Sequence, residues 1–201
     1  MKHLKALWAM LTVVAVAAAL GAATASATEL YNGATTLKSG TVLDFSLKSG
    51  TSTALLETGG STLDTCTGST IKGKITNAGS STTTLTGENT SITWTGCTFP
   101  TVTVVLGKFE GHHVTGTTNF TVTADAEIGV TINTVFFGTC IYGAKAVTDL
   151  GLVTGGNPAT LSINAVTVRL PGSAFACPET AKWFASYTST EPAGDLHAEA
   201  S

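Results

Sequence analysis

The sequence predicts an all-β protein: an antiparallel β-sandwich of about eleven to thirteen strands, with a closed β-barrel as the second choice. Three observations lead there. Between Asn119 and Asn133, Phe120, Val122, Ala124, Ala126, Ile128, Val130 and Ile132 alternate without a break with Thr121, Thr123, Asp125, Glu127, Gly129 and Thr131. A period of two is that of a sheet with one face in a core and one in water. The composition is rich in threonine and glycine, which disfavours helices and suits strands joined by short turns. Turn dipeptides such as Asn32-Gly33, Ser49-Gly50 and Pro171-Gly172 punctuate the chain. Alternation alone does not separate a sandwich from a barrel, since both bury every second side chain.

The chain has 201 residues, of which the first 27 read as a secretory signal. Lys2 and Lys5 precede an apolar run from Ala6 to about Gly21, and Ala25-Ser26-Ala27 suits cleavage. No second apolar run reaches membrane-spanning length. The remainder is expected to form one all-β domain over 28–190, followed by a disordered tail over 191–201 that carries Pro192 and Gly194. The 10 basic residues, less the two lysines of the leader, leave 8 against 13 acidic ones. A mildly acidic, sparsely charged surface argues against nucleic acid and anionic membranes as partners. The exported domain is expected not to insert into the membrane after signal cleavage.

Taken in order, Thr28 to Asn32 reads as an opening strand. Leu43, Phe45 and Leu47 mark a half-buried second one, and Thr53 to Glu57 a third, ahead of Gly59-Gly60. Ile71, Gly73 and Ile75 face one way, with Lys72 and Lys74 on the wet side. Ser81 to Thr86 and Ser91 to Thr95 read as separate strands with Gly87-Glu88-Asn89 between them. Strands around Val102 to Leu106 and Phe109 to Val114 follow. At roughly 50 Å the Asn119–Asn133 stretch is too long for one ordinary strand. An odd turn at Asp125-Ala126-Glu127 would fold it into a hairpin pairing Ala124 with Ile128. Val135 to Tyr142 is more continuously apolar, as in a strand buried on both faces. Ala146 to Val153 is extended. From Ala159 to Leu170 the apolar phase slips, which suggests a bulge near Asn164 to Val166 or a strand wetted on neither face. Trp183, Ala185 and Tyr187 form the last strand. The one helix candidate is Pro178 to Lys182, with proline suited to a first turn.

Four cysteines, Cys66, Cys97, Cys140 and Cys177, follow the leader. An even number in an exported chain reads as two disulfides, with three possible connectivities. Cys66–Cys97 and Cys140–Cys177 are preferred for a reason internal to the chain. Each pair brackets a similar block of two extended runs about a turn, with an aromatic (Trp94 or Phe175) just before the closing cysteine. Each closed loop would stabilise by roughly 3.5–4 kcal/mol in the chain-entropy account. No CxxC spacing supports a zinc site.

Catalytic residue types are scarce. The folded region holds only His112 and His113, which point to opposite faces of a strand. Glu110 and His112 share a face and make a speculative metal or acid–base pair. Asp125 and Glu127 are a paired-carboxylate candidate for glycoside hydrolysis, against the ordinary reading of a solvated turn. Trp94 and Trp183, with Tyr31, Tyr142 and Tyr187, would stack on sugars if exposed; in the core they would only pack. Thr93/Thr95, Thr101/Thr103 and Thr121/Thr123 form no fixed-period hydroxyl array. Asn89 and Asn119 head glycosylation sequons, which matter only in a glycosylating host. No nucleophile elbow, HExxH, P-loop or dinucleotide fingerprint is present, and no cofactor is implied.

The segments Gly60 to Ser69, Trp94 to Pro100, Gly155 to Ala159 and Phe175 to Trp183 resemble those of a group of small exported bacterial proteins, mostly actinobacterial, with four cysteines and an all-β pattern. The likeness supports the exported, disulfide-bonded reading and implies no activity. The expectation is an exported, non-catalytic extracellular or cell-envelope module that binds a surface glycan or a protein. A secreted hydrolase acting on glycans or other polymers is the alternative, and a purely structural surface-layer or matrix protein is the third reading.

Overall fold

The computed structural model describes residues 28–57, 62–80, 82–125, 127–144 and 149–200. The expected leader, the Gly59-Gly60 turn and the start of the Ala146 strand lie outside them. Fifteen strands run through the described residues. They are β1 (Thr28–Asn32), β2 (Thr35–Thr36), β3 (Val42–Leu47), β4 (Thr53–Glu57) and β5 (Thr62–Asn77). Next come β6 (Leu85–Cys97), β7 (Thr101–Val105), β8 (Lys108–His113), β9 (Phe120–Ala124) and β10 (Ile128–Thr134). Last are β11 (Gly138–Ala144), β12 (Asp149–Thr154), β13 (Thr160–Arg169), β14 (Thr180–Glu191) and β15 (Leu196–Ala200). Every pairing between them is antiparallel.

Eight strands close on themselves as a barrel, in the order β3-β5-β6-β8-β9-β12-β13-β14 and back to β3. The wall is thus a barrel, the second choice of the sequence reading, rather than two face-packed sheets. Closure follows from strand length. β5 spans 16 residues and β14 spans 12, so each meets two neighbours end to end along one edge. β3 and β4 occupy one slot of the wall, separated by the Lys48–Ser52 loop: β3 pairs with Thr70–Lys74 of β5 and β4 with Thr62–Cys66. Extra residues at Thr76, Thr90 and Thr190 break the ladder locally. Bulges of this kind bend strands enough to curl a sheet shut.

At one end β13 passes from β12 to β11, and β11, β10 and β7 continue the wall as a three-stranded flap. The flap is laid against β6 by side chains: Trp94 Nε1–H donates to Thr103 Oγ1 (2.8 Å), and Thr103 Oγ1–H to the Ile92 carbonyl (3.0 Å). Both disulfides staple this end, Cys66–Cys97 across β5 and β6, and Cys140–Cys177 from β11 to the loop before β14. The opposite end is covered by a separate sheet ordered β15-β1-β2. It is anchored by the Thr28 hydroxyl, which accepts from the His113 amide, and by the Ala198 amide, which donates to the Thr118 carbonyl.

Several expectations are corrected. The tail is not disordered over 196–200: Leu196 and Ala198 are fully buried and pair with Asn32 and Leu30. Polar composition hid two apolar residues with the strand period. Among the described residues there is no helix; Thr180 to Lys182 opens β14, where Ala181 and Trp183 face the interior. β9 and β10 do not form a hairpin. β9 pairs with β8 and β12, and β10 with β7 and β11, so Asp125 and Glu127 flank a crossing from barrel to flap. The apolar phase nevertheless holds, with Phe120, Ala124, Ile128 and Ile132 all buried. β13 carries no bulge against β14; Leu161, Ile163, Ala165 and Thr167 point inward and Val166 is exposed. The apparent slip arose because Thr167 sits inside, its hydroxyl donating to the Ala181 carbonyl. Gly87-Glu88-Asn89 is no break between strands but lies within β6.

Candidate functional site

The sequence-derived sites occupy three separate places. Trp94 and Trp183 meet inside the molecule, ring centres 5.5 Å apart and tilted by 57°. Trp183 is buried, and its Nε1–H donates to Thr53 Oγ1 (3.0 Å). Thr53 passes its own hydroxyl hydrogen to the Phe184 carbonyl. This chain satisfies the polar edge of an otherwise apolar ring. Trp94 is half-buried, fixed by Thr103. Tyr142 and Tyr187 are fully buried. Burial pushes the Tyr187 phenol up to about 12, and Ser69 shares its hydrogen bond at 3.0 Å. Trp183, Tyr142 and Tyr187 therefore offer no face to a sugar.

Glu110 and His112 do share a face, on the outside of β8. His112 Nε2 lies 3.5 Å from Glu110 Oε2 and 3.3 Å from Thr123 Oγ1. Both side chains are about a third exposed. Asp125 and Glu127 are exposed at the crossing. Asn89 and Asn119 of the sequons serve the fold: Asn89 Nδ2 donates to the Leu106 carbonyl and Asn119 Oδ1 accepts from the Gly155 amide.

Two cavities are found among the described residues, one under the flap and one inside the barrel. One, about 40 Å³, lies between Ile92, Trp94, Ile132, Tyr142 and Trp183; the other, about 60 Å³, lies between Phe45, Phe109, Phe120, Leu161 and Trp183. A single water needs about 10–15 Å³ on this scale, so each holds only a few atoms. The interior is a packed core with gaps.

Asp64, Cys66 and Cys97 bring an oxygen and two sulfurs within 4.8 Å of one another. The sulfurs are bonded to each other, so neither is a thiolate ligand. Asp64 is instead a buried clamp on the first disulfide loop. Its Oδ1 accepts from the Thr65 amide (2.8 Å) and the Phe99 amide (3.1 Å), and its Oδ2 from the Thr101 hydroxyl.

The feature that sequence reasoning misplaced is at the stapled end. Val135 to Tyr142, read as a doubly buried strand, is instead a turn followed by β11. Val135 is 80% exposed and Phe136 84%. Phe175, in the loop before β14, is 96% exposed. The Cys140–Cys177 bond ties the two loops together, and the Ala174 amide donates to the Thr139 carbonyl (2.8 Å). The turn is built by Thr134, whose Oγ1 accepts from the Phe137 amide (2.9 Å) and donates to the Gly138 carbonyl (3.0 Å). Gly138 takes a φ of 76°, which a side chain would strain. Arg169 Nη1 donates to the carbonyls of Phe175 (3.0 Å) and Cys177 (2.6 Å). Three large apolar side chains are thereby held outward at one tip. The one signal for this in the sequence was Gly138 directly after the aromatic pair.

These observations define a closed, disulfide-stapled antiparallel barrel with an apolar tip. Comparison of the chain with protein-family models, curated proteins and solved structures found no match.

Proposed function

We propose that the chain is an exported, non-catalytic binding module of the cell envelope, and that it binds through its stapled end. The observation that carries this is the tip itself. Val135, Phe136 and Phe175 stay in water although each would stabilise by about 1.5–3 kcal/mol if covered. Exposed apolar clusters mark interaction surfaces. The small interior cavities direct binding to the outside. The two disulfides are compatible with an extracellular location, which agrees with the leader read at 1–27.

The test is binding of the purified, oxidised protein to pelleted cell envelopes. Wild type is expected in the pellet, and Phe136→Ser/Phe175→Ser in the supernatant with unchanged thermal unfolding. Wild type left wholly in the supernatant would remove the reading, as would a double variant that still pellets.

A further inference from the structure

We propose that the tip of Val135, Phe136 and Phe175 docks into the interfacial layer of a phospholipid bilayer. This rests on the reading that the stapled end is the binding surface, and it names the partner. It is peripheral docking by two loops, not the spanning or insertion of the domain that the sequence argues against.

Four observations favour lipid over a macromolecule. The tip projects: its side chains are 80–96% exposed, so they form neither a groove nor a flat face. A stable dimer or protein complex buries about 800 Å² on each partner, more than three protruding side chains supply. The loops 134–138 and 170–178 contain no charged residue. Five of their backbone groups are already engaged: Phe137 N–H and Gly138 C=O by Thr134, Phe175 C=O and Cys177 C=O by Arg169, Ala174 N–H by Thr139. Entry into a layer poor in water therefore strands none of these groups. Finally, the domain that follows the expected leader is acidic, with 8 basic against 13 acidic residues. Attraction to anionic headgroups is not the driving term, so the partner is a zwitterionic phospholipid surface engaged by apolar contact.

The experiment is co-sedimentation of the oxidised protein with phosphatidylcholine vesicles, repeated with added phosphatidylglycerol and at high salt. Wild type is expected to partition onto phosphatidylcholine vesicles, with little dependence on salt or on phosphatidylglycerol. Phe136→Ser/Phe175→Ser is expected to lose at least about tenfold in partition, since two buried rings are removed. Val166→Ser, an exposed apolar site on the wall, is expected to bind as wild type. A Phe136→Trp variant is expected to shift its emission to the blue when vesicles are added. Failure of wild type to bind, equal binding by the double variant, or binding that needs phosphatidylglycerol and vanishes in salt would each overturn the proposal. If vesicles fail while envelopes still retain the protein through Phe136 and Phe175, the partner is a protein or glycan and only the lipid assignment falls. If both fail, the binding-module reading falls with it.

Discussion

Phe109 is seated by two glycines. A side chain built at Gly87, directly opposite on β6, would meet Phe109 Cζ at 2.1 Å, and one at Gly73 would meet Cε1 at 3.1 Å. Gly87→Ala is therefore expected to destabilise by about 1–3 kcal/mol in urea unfolding, through overpacking. Tyr187 is expected to make the protein sensitive to alkali. Burial raises its phenol to about 12 in the folded chain, against about 10 when unfolded. The neutral phenol is the form the fold accepts, so its contribution is complete below pH 10 and is lost as pH rises toward 12. The loss is about 2–3 kcal/mol. Urea midpoints at pH 8 and 11 capture about half of it, roughly 1.4 kcal/mol, and Tyr187→Phe is expected to remove that share of the decline. Asp64→Ala frees the Phe99 and Thr65 amides and the Thr101 hydroxyl, and is expected to cost about 2–3 kcal/mol.

At the scale of elements, alternation was a good guide to which face is dry and a poor guide to which strands pair. Phe120, Ala124, Ile128 and Ile132 kept their phase, yet β9 and β10 went to different regions of the wall. Pairing depends on long-range closure, which a local pattern does not encode. Thr167 and Val166 exchanged their expected places because one hydrogen bond makes a threonine acceptable inside. β15 was hidden by its charged neighbours, although Leu196 is wholly covered with Leu30 in the end sheet. Leu196→Ala is expected to cost about 2–4 kcal/mol, read as a fall in thermal midpoint. The preferred cysteine pairing forms, and the two bridges differ in what they hold. Replacing Cys140 and Cys177 by serine is expected to cost roughly 3–4 kcal/mol and to weaken envelope binding, because the loops then separate. The same change at Cys66 and Cys97 is expected to lower stability with far less effect on binding.

For the whole molecule, the all-β class was readable from composition and period, whereas the choice of barrel over sandwich needed the lengths of β5 and β14. The candidate site was the least legible. An apolar run reads as buried, so Val135 and Phe136 looked like core, while Trp94 and Trp183, which the sequence left between core and sugar binding, meet inside the molecule. On the proposed reading, contact is made by the tip pinned by Cys140–Cys177 and Arg169. Backbone amide exchange of the oxidised protein, with and without envelope membranes, tests this most directly. Slowing confined to 133–139 and 171–177 is the expected result; slowing around Glu110 and His112 with the tip unchanged would contradict it.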